Sequence, residues 1–300
     1  MNNKIKSPKA DIAFRVINDL LLVMVLILVL YPMIFVVSAS FSDPNMVAAG
    51  KVVLLPKGFT LEGYKRVLNE KEIWTGYKNT IIYTVTGTAL SVALTLLCAY
   101  PLSRKDLRGR NIFVAIMTFT MFFSGGLIPL FMLVKKLKML DTIWAIILPG
   151  AVSTWNVIIT RTYIQSIPET LQEAAMIDGC DNVKILTRIL IPLCAPIIAV
   201  VALYYGVGQW NSYFSALVFI NSRTKYPLQL ILREILVQQQ MSAAMTTNAA
   251  GNMEAAAEQA KIAEVIKYAV MIVSCLPVLV IYPFLQKYFV KGVMVGAIKG

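Results

Sequence analysis

Residues 167–196 read IPETLQEAAMIDGCDNVKILTRILIPLCAP, a polar, amphipathic interruption in a chain otherwise built of long apolar runs. Ser166 is placed to cap a helix, with Glu169 three residues on returning the bond in a capping box. Pro168 falls in the first turn, where a missing N–H costs little. The spacing predicts a helix over 169–177, stopped by Gly179 in a left-handed conformation. Asp181 then caps a second helix over 182–191, which leads through Pro192 and Pro196 into an apolar run. Ala174 and Ala175 leave one face thin enough for another backbone to approach. Glu173 adjoins that face and suits an arginine or a set of backbone N–H groups. By themselves the caps and the glycine stop describe two things equally well: a surface helix pair lying on a membrane, or a hairpin shaped to be gripped by another protein.

The surroundings are those of an integral membrane protein. Of 300 residues, 58% are hydrophobic and 15% charged, against about 25% charged in soluble domains. Six runs are long enough to span as helices, namely 20–38, 81–102, 112–134, 143–164, 191–219 and 265–285, each meeting the need for roughly 20 mostly apolar residues. The first follows Lys4, Lys6, Lys9 and Arg15 and lacks a small-residue cleavage pattern, so it reads as an uncleaved span. The expected fold is therefore all-α with six transmembrane helices. Its parts are a cytoplasmic lead (1–19), a membrane domain (20–290) and a cytoplasmic tail (291–300). The membrane domain includes the hairpin 166–191 and outer loops 41–78 and 221–264. Ser124-Gly125-Gly126 with Pro129 predicts a kink or unwinding in the third run, and Pro149-Gly150 a bend in the fourth. Residues 61–74 suit a short surface helix, and 238–260 suit a helical or mobile segment.

With both ends cytoplasmic, lysine and arginine divide evenly between the two sides. The rule of orientation weights short loops, however. The turn holding Arg104, Lys105, Arg108 and Arg110 places both termini inside, while Lys135, Lys136 and Lys138 in a short outer turn weigh against it. The net charge of +12 suits anionic lipid headgroups. No nucleic acid partner is expected.

The sequence holds little chemistry of its own. There is no histidine, and the cysteines at 98, 180, 194 and 275 form no metal-spacing pair. No Gly-x-x-x-x-Gly-Lys-Ser/Thr stretch occurs to cradle phosphate. The core runs carry no Asp or Glu, and their Lys and Arg lie near the ends: Arg161 near the inner end of the fourth and Lys267 at the start of the sixth. Ion-driven carriers usually need such groups, although backbone carbonyls also bind sodium. No catalytic constellation is present, and no cofactor is expected on this chain. In the fifth run Tyr204, Gly208, Asn211 and Ser215 recur at helical spacing, with Tyr205, Gln209, Trp210 and Ser212 beside them. A face that is polar, aromatic and small suits a translocation surface for an oligosaccharide. It also suits packing between membrane helices. A self-contained secondary carrier or channel, or a membrane scaffold, stands as the alternative.

EAAMIDG, nine further residues, then ILIP resembles the EAA signature of binding-protein-dependent ABC-transporter permeases. Ile191 stands where leucine usually precedes the proline. The resemblance runs over nearly the whole chain. SGGLIPLFMLVKKLKMLDTIWAIILPG, the Trp210-Asn211 pair and YPFLQKYFVKGVMVGAIKG are similar to the carbohydrate-uptake branch. Within it they look like the smaller maltose-type permease subunit and, closer still, the oligosaccharide permeases of Gram-positive bacteria. The resemblance implies a type I importer architecture in a bacterial cell membrane. It implies a second related permease, an ATPase subunit dimer carrying ATP and Mg, and an extracytoplasmic solute-binding protein that touches 221–264. It also implies that Glu173, Ala174, Ala175, Asp178 and Gly179 lie on a coupling helix seated in the ATPase, with the glycine-rich tail against the same dimer.

Overall fold

A computed structural model describes residues 9–248, 261–280 and 283. In chain order the helices are α1 (Lys9–Ser40), α2 (Pro44–Ala48), α3 (Glu62–Asn69), α4 (Lys71–Ser103) and α5 (Arg110–Phe122). There follow α6 (Leu127–Lys136), α7 (Ile143–Ile147), α8 (Thr154–Ser166), α9 (Glu169–Ile177) and α10 (Asn182–Lys184). The last are α11 (Ile191–Leu193), α12 (Ala195–Trp210), α13 (Phe214–Phe219), α14 (Leu228–Asn248) and α15 (Lys261–Val280). No strand occurs among the described residues.

Three stretches, Ala13–Ser40, Lys71–Ser103 and Lys261–Val280, are single helices long and apolar enough to cross a membrane. Three bent pairs supply the rest, giving six spans in all among the described residues. The predicted kink in the third run is a 113° bend between α5 and α6. Gly126 takes φ 82°, ψ 175° there, a region only glycine enters cheaply, and Pro129 sits in the first turn of α6 where it costs no hydrogen bond. The fourth run bends by 53° between Ile143–Gly150 and Thr154–Ser166, directly after the Pro149-Gly150 pair that predicts it.

The fifth run departs from expectation. Its lead-in bends by 83° between α11 and α12, and α12 stops at Trp210. Residues 211–213 turn before α13, so no single helix covers 191–219. The predicted surface helix over 61–74 ends at Asn69, and Lys71–Trp74 open α4 instead, ten residues ahead of the apolar run. Residues 238–248 are helical, whereas 249–260 and the tail 291–300 lie outside the described residues.

The chain packs as two compact units. The first is Met1–Glu70 with Glu234–Cys275. Its small core gathers Ala39, Val47, Val52 and Val265, with Phe35 set edge-on to Tyr268 at 5.7 Å. Residues 13–34 of α1 are exposed, as suits an apolar helix face turned to lipid tails. The second unit is Lys71–Arg233 with Leu276–Gly300. Here α4 is the axis, packed mainly against α12 and α8. Gly87 permits that closeness: a Cβ added there would lie 3.0 Å from the Gln209 side chain of α12.

Candidate functional site

The hairpin forms as a rigid cap on the second unit, by a partly different route from the one predicted. Helix α8 runs through Ser166, whose hydroxyl donates to Tyr163 O at 2.7 Å. Ser166 is thus inside one helix and cannot cap the next; the capping box with Glu169 does not form, and Pro168 is the residue before α9. The far end follows prediction. Gly179 has φ 77°, and Cys180 N–H reaches back to Ala175 O at 2.9 Å, the six-to-one bond of a Schellman stop. The Asp181 carboxylate accepts Lys184 N–H at 2.7 Å and starts the second helix. That helix widens into a π-turn over Ile185–Leu190. Pro192 brings no N–H to the ladder, and a wider turn accommodates the carbonyl so freed.

Beneath the hairpin lies a core of Ala99, Tyr100, Leu102, Val157, Ile164, Ala175, Ile185, Leu186, Leu190 and Cys194. Ala175, 7% exposed, is therefore spent inside the chain and does not belong to an outward thin face. Glu173, Ala174, Asp178 and Gly179 are exposed together. The sequence reasoning passed over Ile177, which stands 87% exposed between them. Its sequence signal is its place as the last residue of α9, two residues ahead of the glycine stop.

Glu173 lines a cleft of about 860 Å³ between α9 and the basic turn after α4, with Arg104, Lys105, Arg110, Glu169 and Met176. Arg104 holds both Asp106 oxygens at 2.8 Å. Its hydrogen bond to Asp106 keeps the guanidinium firmly charged and holds the Asp106 carboxyl below the usual carboxylate range. The Lys105 ammonium meets Glu169 at 2.5 Å, and that contact raises its pKa. Arg161, near the inner end of the fourth run, donates from Nε to Leu102 O at 2.8 Å, and Gln165 donates to Ser103 O at 3.4 Å. These two side chains satisfy carbonyls at the end of α4, which no further helical turn would reach.

The candidate pathway residues divide. Tyr204 (51% exposed), Gly208 and Asn211 share an open face of α12. Tyr205 and Trp210 are buried. Tyr205 Oη lies 2.8 Å from Thr95 Oγ1 and accepts Ser153 N–H at 2.9 Å, joining α12 to α4 and to the start of α8. The Trp210 ring lies 6.3 Å from that of Tyr77, and Gln209 packs over Gly87. Ser215 is on α13, beyond the turn, so the face does not continue to it. The Asn211 amide donates to Val207 O at 3.0 Å, closing its own helix. A separate, almost wholly apolar cavity of about 690 Å³ lies between α4 and α12, lined by Thr84, Thr88, Leu203, Gly206 and Trp210 among others.

At the opposite end of α4 the turn before α7 is organised by Asp141, in the left-handed region at φ 58°. Its carboxylate accepts Asn221 N–H (3.1 Å), Ser222 N–H (2.9 Å), Ser222 Oγ–H (2.6 Å) and Lys225 Nζ–H (2.7 Å). Lys225 first, then Ser222, hold this carboxyl well below the ordinary range.

The chain as a whole has counterparts among known proteins. Residues 87–295 match the family model described as binding-protein-dependent transport system inner membrane component. The chain belongs to this family. The binding-protein-dependent permeases are transport subunits of inner-membrane ABC systems. The chain is 39% identical over 292 residues to Protein LplC of Bacillus subtilis, covering 97% of each. It is 40% identical over 285 residues to the polygalacturonan/rhamnogalacturonan transport system permease protein YtcP of the same organism, covering 95% of this chain and 97% of the relative. Among solved structures it resembles a chain of a bacterial ABC transporter that imports the acidic polysaccharide alginate. There the TM-score is 0.80 and the identity 35%, over 94% of this chain and 99% of that one.

Proposed function

We propose that this chain is one permease subunit of an ATP-driven importer of oligosaccharides. It works with a second related permease, an ATPase dimer that carries ATP and Mg, and an extracytoplasmic solute-binding protein. Both termini and the hairpin lie in the cytoplasm. Glu173, Ala174, Asp178, Gly179 and the bare Ile177 face the ATPase, and Ala175 seats the helix behind them. Closure of the ATPase dimer on ATP displaces α9, and the spans rock to switch access from outside to inside. The face of Tyr204, Gly208 and Asn211 meets the sugar.

The single observation that carries this reading is the hairpin itself: a helix seated on the core beneath it that exposes an acid, a small residue and an aliphatic tip, with none of the described residues burying them. The sugar class is supported by relatives that transport polygalacturonan or import alginate.

The test is Glu173→Lys in the complex reconstituted into vesicles. The expected result is normal insertion, loss of co-purifying ATPase and loss of uptake. Retention of ATPase and uptake would remove the coupling assignment. Uptake by this chain alone on an ion gradient, indifferent to ATP, would establish the secondary-carrier alternative. Neutral and uronate oligosaccharides offered in parallel separate the substrate classes.

A further inference from the structure

Helix α4 is held at both ends by elements it is not joined to in sequence. It has 33 residues, about 50 Å at 1.5 Å per residue. It is one unbroken helix, whereas three other spans are bent by 53° to 113°. At one end Arg161 and Gln165 of α8 hold the Leu102 and Ser103 carbonyls. Just past that end Lys105 pairs with Glu169 at the start of α9 and Arg104 reaches Met176 S at 3.9 Å, while in the last turn of α4 Tyr100 Oη donates to Asn182 Oδ1 at 3.0 Å. The hairpin is thus tied to α4 before, along and after α9.

At the other end the loop after α13 is tied to α4 through its backbone. Asn79 donates to Thr224 O at 2.8 Å and to Tyr226 O at 3.0 Å. Tyr83 donates to Lys225 O at 2.8 Å, Leu228 N–H reaches Thr80 Oγ1 at 2.8 Å, and Arg223 pairs with Glu72 at 2.6 Å.

We propose that α4 is the lever of this subunit: the Lys105–Glu169 strap carries displacement of α9 into α4, and α4 carries it to the loop 223–228 on the opposite face. Arg104, Lys105 and Glu169 are positioning residues for coupling, as are Glu72 and Arg223 at the far end. Both ion pairs are largely solvent-exposed, and exposed pairs add little to stability. Their value lies in register between elements that the chain does not connect. Coupling between two sites is reciprocal. A partner seated on the loop therefore alters how α9 engages the ATPase by the same factor as the ATPase alters that partner's hold on the loop. The inference rests on the coupling reading of the hairpin given above.

The test uses the full reconstituted complex and measures ATP hydrolysis with and without the purified solute-binding protein. Four single reversals are made, Lys105→Glu, Glu169→Lys, Glu72→Arg and Arg223→Glu, together with the two reversed pairs. Each single change is expected to cut stimulation by the binding protein about fivefold or more, the lower range of measured site-to-site coupling, with ATPase still co-purifying. Each reversed pair restores it. Full stimulation in the single variants overturns the lever, and so does a loss that the reversed pair does not repair. Loss of assembly repaired by the reversed pair without return of stimulation also overturns it, since the residues then serve docking alone. Failure of the coupling reading shows separately, as Glu173→Lys retaining ATPase and uptake.

Discussion

Asp141→Asn tests how the turn before α7 and the loop after α13 are held together. Asparagine keeps the size of the side chain and tolerates the left-handed φ of 58°, so the change isolates the charge. The amide oxygen retains the Asn221 and Ser222 N–H bonds. Its NH2 group now meets the Ser222 hydroxyl and the Lys225 ammonium, which lay 2.6 and 2.7 Å from the carboxylate. Lys225 keeps its bond to the Asp141 carbonyl at 2.7 Å. What is lost is close to one charge-assisted hydrogen bond, about 1.5–3 kcal/mol when well buried. The Lys225 side chain is 45% exposed, so solvent screening reduces the expected cost to about 1–2 kcal/mol at pH 7.

The pH dependence has a definite sign. Lys225 and Ser222 hold the folded carboxyl below its ordinary value. Its contribution is therefore complete above the unfolded pKa of about 3.9 and is lost as pH falls through the lower folded value. The gap between wild type and Asp141→Asn should be constant from about pH 5 to pH 8 and shrink only below about pH 4. Unfolding can be followed by thiol labelling of Cys194, which is buried in the same unit. Equal stability at pH 7, or a gap that persists undiminished in acid, would refute the reasoning.

Three further outcomes follow from the packing. Tyr205→Phe removes the partner of Thr95 Oγ1 and Ser153 N–H and should cost about 1–2 kcal/mol, read by the same labelling, while the apparent affinity for transported sugar stays as in wild type. Ala175→Leu forces extra methylenes into the core beneath the hairpin, costing about 1–3 kcal/mol. It should loosen ATPase association in pull-down assays, whereas Ala174→Ser should not alter stability. Gly179→Ala meets open space but must hold φ 77°, so a loss of about 1–2 kcal/mol, seen as faster proteolysis after Ile177, is expected.

Much of this architecture is legible in the sequence because its signals are local. Gly179, Asp181, the Ser124-Gly125-Gly126 break and Pro149-Gly150 each act through the backbone of their own or adjacent residues, and each is where the sequence places it. The failures are of another kind. Ser166 has the right neighbours for a capping box, yet α8 extends two residues past its apolar run and turns the Ser166 hydroxyl to its own Tyr163 carbonyl. The period through Tyr204, Gly208, Asn211 and Ser215 is sound arithmetic, but α12 ends at Trp210 with Asn211 as its cap, and Ser215, on α13 beyond the turn, shares no face with the other three. The ties at both ends of α4 were hidden for a simpler reason. Glu72 and Arg223 are 151 positions apart, and Lys105 and Glu169 are 64 apart. No spacing rule reaches that far.

The EAAMIDG stretch serves two sets of contacts at once. Ala175 is small because α4 and α8 lie under it, Gly179 because the chain must reverse, and Asp181 is acidic because a helix starts there. Those three requirements concern the chain alone and would hold without any partner. Glu173, Ala174 and Ile177 are exposed, and none lies in the core beneath. Within nine residues, then, the fold separates residues that build the hairpin from residues left open to a second protein. Substituting the first kind should lower stability first and transport in proportion. Substituting the second should abolish transport at full stability, which is why Glu173→Lys and Ala175→Leu belong in the same experiment.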